Sequence, residues 1–212
     1  MANDWFRNTD WSDGAREEFE RRLRRARPDR RAQYLRVQAV TLKGAGSADA
    51  AAELLSRITR DYGASFEYPH AVELLGDIAR EQGDVKAAEQ SYRRVLEVRP
   101  DLNTTSGMVR VSLAELLLDR GTDESLAEAQ HMLEASLLDL PPFNSTRFRF
   151  WLASARLAKA VGAEAEQREA ASAALALVDA APSFSRHPTV GLVEADESTL
   201  QCLREMLEPS GR

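Results

Sequence analysis

Punctuation at a fixed interval constrains this chain more than any other feature. Pro100, Pro141 and Pro182 stand 41 residues apart, and Gly121 and Gly162 repeat the same interval. Gly83 precedes Gly121 by 38 residues, and the three-residue difference falls in the turn 122–125. Self-similarity on this scale indicates a unit of supersecondary structure that buries its apolar face only by stacking on its neighbours. The chain of 212 residues has room for about four such units.

The unit is helical. In 69–102 (PHAVELLGDIAREQGDVKAAEQSYRRVLEVRPDL), Val72, Leu75, Ile78 and Ala79 follow helical spacing and Gly83 ends that stretch. Asp84 can cap a second helix, whose apolar stripe is Ala88, Tyr92, Val95 and Leu96, and Pro100 closes the unit. Composition agrees. The chain is rich in Ala, Leu, Glu and Arg, the strong helix formers, and holds only 11 Gly and 8 Pro. No segment alternates with period 2, so no sheet is expected.

Three further copies follow the same register. Residues 105–141 carry Leu113–Ala114, Leu117, Gly121, Ala129, Leu133 and Pro141. Residues 145–182 carry Trp151, Ala155, Ala158, Gly162, Ala170, Ala174, Leu177 and Pro182, with Ser154 where Leu is usual. Residues 32–65 carry Leu35, Ala39, Leu42, Gly46, Ala51, Leu55 and Ile58, with Gly63 where the closing proline would stand. The segment 69–102 resembles a tetratricopeptide repeat through Leu75–Gly76, Ala79, Gly83, Ala88, Tyr92 and Pro100, and the resemblance extends over about 150 residues. It implies an all-α, right-handed α-solenoid of about four helix-turn-helix pairs, forming a single domain over 1–212. Two flanking helices, 13–27 ended by Pro28 and 195–207 with Leu200, Leu203 and Leu207 inward, are expected to cap the ends of the 32–182 array. The connection 181–194 should be irregular, and a short tail ends the chain.

The resemblance also implies a groove lined by the first helix of each pair. Carried over by register, its charged and apolar positions are Arg36 and Lys43 in the first copy, and Glu73, Asp77, Arg80 and Glu81 in the second. The third contributes Val111, Glu115, Leu118 and Asp119, and the fourth Arg149, Leu152, Arg156 and Lys159. Basic ends would flank an acidic middle, with Val111, Leu118 and Leu152 as apolar spots. That map fits a partner segment with a basic or polar centre and acidic ends. The same charges could instead pair among themselves. Glu73 and Asp77 stand where the carboxylate-gripping members of the family would not tolerate them.

A second surface lies near the start. Residues 1–43 carry a net charge of +4 and residues 44–212 a net −10, for a total of −6. Arg21, Arg24, Arg25 and Arg31 belong to a run between 21 and 36 that reads either as a docking face for an acidic partner or nucleic acid, or as a solvated helix face. Trp5, Phe6 and Trp11 precede the first helix and either cap the core or anchor a partner or second protomer.

Candidate chemistry is sparse. One cysteine, Cys202, allows no internal disulfide framework. His131 and Glu134 lie one turn apart without a second histidine to complete a metal-binding motif. Gly44–Ser47 lacks the third glycine and the preceding strand of a dinucleotide loop. No metal or cofactor is expected. The reading is a non-catalytic protein-interaction module or adaptor, cytoplasmic and without a membrane span. Its arginine-rich composition suggests a GC-rich bacterial source. The alternatives are an accessory subunit docking through the arginine face, or a homo-oligomerising scaffold.

Overall fold

A computed structural model describes residues 4–137, 140–184 and 186–208. Among them it contains ten helices and no strand. None of these helices is long and apolar enough to cross a membrane. The short tail after Glu208 lies outside the described residues. The chain divides into two compact units, 1–105 and 106–212.

The first unit holds α1 (Asp13–Arg25), α2 (Pro28–Gly44), α3 (Ala48–Asp61), α4 (Tyr68–Glu81) and α5 (Val85–Val98). Helices α2 and α3 pack as one pair and α4 and α5 as another, with α3 against α4. Short turns at 45–47 and 82–84 force each pair to run antiparallel. The second unit holds α6 (Val109–Arg120), α7 (Asp123–Ser136), α8 (Asn144–Val161), α9 (Glu164–Val178) and α10 (Glu197–Glu205). There α6 packs with α7 and α8 with α9, and α8 also touches α6 and α7 while α10 lies on α9.

The turns explain the interval in the sequence. Gly46, Gly83, Gly121 and Gly162 all have left-handed φ, between +68° and +83°, which a Cβ disfavours. At three of them the chain closes identically. Ser47, Asp84 and Ala163 donate their N–H to Leu42, Ala79 and Ala158, while the glycine N–H bonds Lys43, Arg80 and Lys159. This double closure satisfies carbonyls that the helix end would leave open. Gly121 makes the simpler single bond to Leu117 O. Thr122 and Asp84 then cap the following helices by accepting from Ser125 N and Ala87 N.

Close helix contact rests on small residues. Ala39, Ala51, Ala71, Ala88, Ala114, Ala129, Ala155, Ala171 and Ala174 are fully buried. At Gly76 a Cβ would meet Tyr92 Cε1 at 2.9 Å and Ser91 Cβ at 3.0 Å, so α4 sits directly on α5. Tyr92 is fully buried and donates its hydroxyl to Asp77 Oδ1 at 2.8 Å.

Several boundaries differ from the sequence expectation. Helix α1 stops at Arg25, and Pro28 opens α2 in place of ending α1. Its fixed φ suits a first turn, where no N–H is needed. Helix α2 therefore begins before the expected 32. Helix α6 begins only at Val109, after a loop in which Leu102 and Thr104 take left-handed φ. Helix α10 ends at Glu205, so Met206 and Leu203 are buried while Leu207 is exposed. The connection 181–194 is irregular but anchored. Asn144 Nδ2 donates to Ala181 O at 3.0 Å, and Ser145 N–H donates to Gly191 O at 2.9 Å. Gly191, at φ +72°, lies so close to Phe143 that a Cβ would approach its ring side chain to 2.7 Å.

Candidate functional site

The first helices of the pairs, α2, α4, α6 and α8, carry the candidate groove residues. Their charges are mostly engaged with one another. In the first unit Arg36 on α2 pairs with Glu67 at the start of α4, and Lys43 Nζ reaches Glu81 Oε1 at 2.6 Å. In the second unit Arg149 on α8 grips Glu115 on α6 through two bonds, at 2.6 and 3.2 Å, and donates to Ser112 Oγ at 3.2 Å. Arg156 Nη2 reaches Asp119 Oδ1 at 2.6 Å. Each unit therefore ties one first helix to the next by two ion pairs. Partners such as Lys43 and Glu81 are separated by about one repeat length, a signal that was available in the sequence. The basic ends of the expected charge map are thus largely neutralised within each unit.

The expected middle changes as well. Glu73 is 3% exposed and Glu115 7%, so neither presents an open carboxylate. Asp77 accepts from Tyr92 and serves the α4–α5 contact. Val111 and Leu118 are buried, which removes two of the three apolar spots. Helix α6 is buried around most of its circumference, Ser112 and Glu115 on its polar face included. Arg80 is half-buried on α4. Val40 on α2, at 43% exposure, is an apolar position that remains open.

One cleft of the second unit keeps open groove residues together. Leu152, Ala160 and Met206 supply its apolar lining, Thr199 and Cys202 line the α10 side, and Arg156 and Lys159 are its charged members. Its volume is about 660 Å³. Lys159 is exposed and has no ion-pair partner among the described residues. Among the described residues, no carboxylate lines the cleft. In the sequence this last helix carries only a capping role, with Thr199, Cys202 and Met206 not assigned to the groove, because only the tertiary packing of α10 brings them to α8.

The aromatic start packs down on the first unit. Trp5 lies 5.3 Å from Phe19 and 5.0 Å from Tyr34, Phe6 lies 4.8 Å from Tyr34, and Trp11 lies 5.4 Å from Phe19, all between ring centroids. Gln38, fully buried on α2, holds the segment by both amide atoms. Its Oε1 accepts from Asn8 N–H at 3.0 Å and its Nε2 donates to Asn8 O at 2.6 Å. Helix α1 is tied to α3 by Arg16–Glu53 and Glu20–Arg57, one turn apart on each helix, so the two run parallel.

The arginine run is partly consumed by structure. Arg21 and Arg22 both pair with Glu18, and the Arg22 bond, helped by the charges of Arg21 and Arg25, holds the Glu18 carboxyl below its ordinary value. Arg31 donates to Ala26 O and Arg24 O and fixes the α1–α2 corner. Arg24, Arg25 and Arg27 are exposed, and their guanidinium groups make no hydrogen bond or ion pair among the described residues.

His70 is half-buried beside the Arg36–Glu67 pair, and burial, with a smaller effect of Arg36, pushes its imidazole down to about 4. His131 and His187 are exposed. No cluster of metal-ligating side chains occurs among the described residues. The chain matches no protein-family model and no curated protein sequence.

Proposed function

We propose that this chain is a helical-repeat protein of the tetratricopeptide type, a right-handed solenoid of four helix pairs. It acts as a non-catalytic interaction module. A peptide or helix of a partner protein lies along the first helices of the pairs. The observation that carries this reading is the fourfold recurrence of the pair α2–α3, α4–α5, α6–α7, α8–α9, each closed by a left-handed glycine. Arrays of this kind expose the first helices as an extended binding surface. The ion pairs between those helices support the reading by fixing their spacing. Recognition then rests on positions left open, Val40, Leu152 and Lys159 among them, more than on the buried Glu73 and Glu115.

A peptide array screened with the whole chain tests it. Val40→Asp and Lys159→Glu should each weaken capture of the selected peptides, whereas Lys86→Glu, exposed on the second helix α5, should not. Equal loss from Lys86→Glu would refute binding by the first helices. A second reading is favoured by the exposed Arg24, Arg25 and Arg27, which form a cationic patch suited to an acidic partner. Loss of binding on Arg24→Glu with Arg25→Glu, together with steep salt dependence, is its signature.

A further inference from the structure

We propose that the cleft between α8 and α10 is the subsite that seats an apolar side chain of a partner peptide next to an acidic one, with Lys159 receiving the carboxylate. The proposal deepens the groove-binding reading and rests on it. Three features carry it. The cleft volume of about 660 Å³ lies in the range of pockets that enclose ligand groups. Its described lining combines Leu152, Ala160 and Met206 with cations and no carboxylate, although the chain as a whole carries a net −6. Lys159 has no ion-pair partner among the described residues, so a ligand carboxylate displaces nothing from it.

Length indicates a peptide in the trough. Leu152 to Ala160 spans about 12 Å of α8 at ~1.5 Å per residue. Thr199, Cys202 and Met206 line the same cleft from the α10 side. A trough of this length accommodates about three or four extended residues at ~3.3 Å each. Arg156 stands between Leu152 and Lys159, and its Nη2 is already held by Asp119. It therefore orients the rim while Lys159 supplies the open charge. A lysine or arginine in the peptide at that point would face two cations.

The chain contains a single cysteine, Cys202, and it lines this cleft, so its thiol reports occupancy without any engineered label. The probe is a positional-scanning hexapeptide library, screened against the full chain. The expected selection is Leu, Met or Phe adjacent to Asp or Glu. At a concentration about ten times its dissociation constant, a selected peptide should slow maleimide labelling of Cys202 about tenfold. Lys159→Glu should abolish the acidic preference, and Leu152→Glu the apolar one. Lys43→Glu, in the other unit, should leave protection of Cys202 intact. Selected peptides that leave Cys202 labelling unchanged would overturn this subsite while sparing the groove reading. A basic preference at this position would do the same, and indifference to Lys159→Glu would overturn the subsite and leave the groove reading to rest on Val40→Asp. If the library yields no selection, both readings fall.

Discussion

Gly76→Ala isolates the closest helix contact in the first unit. Intrinsic propensity favours alanine over glycine inside a helix by about 1 kcal/mol. The structure opposes that gain, because the new methyl would lie 2.9 Å from Tyr92 Cε1 and 3.0 Å from Ser91 Cβ. The ring has little freedom to retreat, being fully buried with its hydroxyl fixed on Asp77 at 2.8 Å. Overpacking of this kind costs about 2–3 kcal/mol. The net expectation is a loss of about 1–2 kcal/mol, seen as a lower urea midpoint and a Tm lowered by several degrees. Gly14→Ala is the control, since nothing lies within 4 Å of a Cβ there. It should be neutral or gain up to about 1 kcal/mol. In a Tyr92→Leu background the ring contact disappears and only the 3.0 Å approach to Ser91 Cβ remains, so Gly76→Ala should cost less than with Tyr92 in place. If Gly76→Ala were as stable as Gly14→Ala with Tyr92 in place, the packing of α4 on α5 described above would be wrong.

Trp5→Ala should cost about 2–3 kcal/mol in urea denaturation, because it removes a ring packed on Phe19 and Tyr34; unchanged stability with lost self-association would mean that the aromatic start is an interface and not a cap. Gly83→Ala should cost about 1–2 kcal/mol from its φ of +82° alone, since open space surrounds the site, and Gly83→Asn should cost less. Arg149→Met withdraws a bidentate partner from the buried Glu115 and should cost about 2–3 kcal/mol, much of it recovered by adding Glu115→Gln, whereas Lys43→Met on an exposed pair should cost under about 1 kcal/mol. His70 titrates near 4 in the fold against its ordinary 6.5, so the unfolded chain takes up the proton first as pH falls. Its contribution is complete above 6.5 and is lost progressively toward 4. After allowance for solvent screening of a half-buried ring it amounts to about 1–2 kcal/mol. The stability gap between the wild type and His70→Gln should narrow or reverse over that window, and a pH-independent gap would contradict the placement of the ring.

Local signals carried the helix pairs, and tertiary ones were hidden. Gly46, Gly83, Gly121 and Gly162 were legible because a left-handed φ is a demand that the sequence must meet at that residue. Pro28 was ambiguous, since a proline both stops one helix and starts the next, and only the packing of α2 decides. Leu207 was misplaced because apolar spacing was extended past Glu205, where the helix ends and Met206 turns inward. Val111 and Leu118 were carried over as groove positions by register alone, and packing buries both side chains. Gln38 offered no signal at all. A buried glutamine reads as an anomaly until the Asn8 peptide is seen against both its amide atoms.

The charge pattern of the first helices acquires a different meaning from the same geometry. Seen one helix at a time, Arg36, Lys43, Arg149 and Arg156 are ligand contacts waiting for acid. Seen in pairs, each already faces a carboxylate on the neighbouring first helix. The more exposed pairs, Lys43–Glu81 and Arg156–Asp119, contribute under about 1 kcal/mol each, so their chief effect is to set the register of adjacent helices. An acidic ligand arriving at Arg156 must share it with Asp119, and an exchange of one partial screen for another yields little affinity. Free energy of binding must then come from apolar burial and from cations that no internal carboxylate occupies. On the proposed groove reading, Lys159 beside Leu152 and Met206 meets both conditions within one cleft, so specificity would concentrate at the α8–α10 end of the second unit, with the paired residues holding the surface in shape.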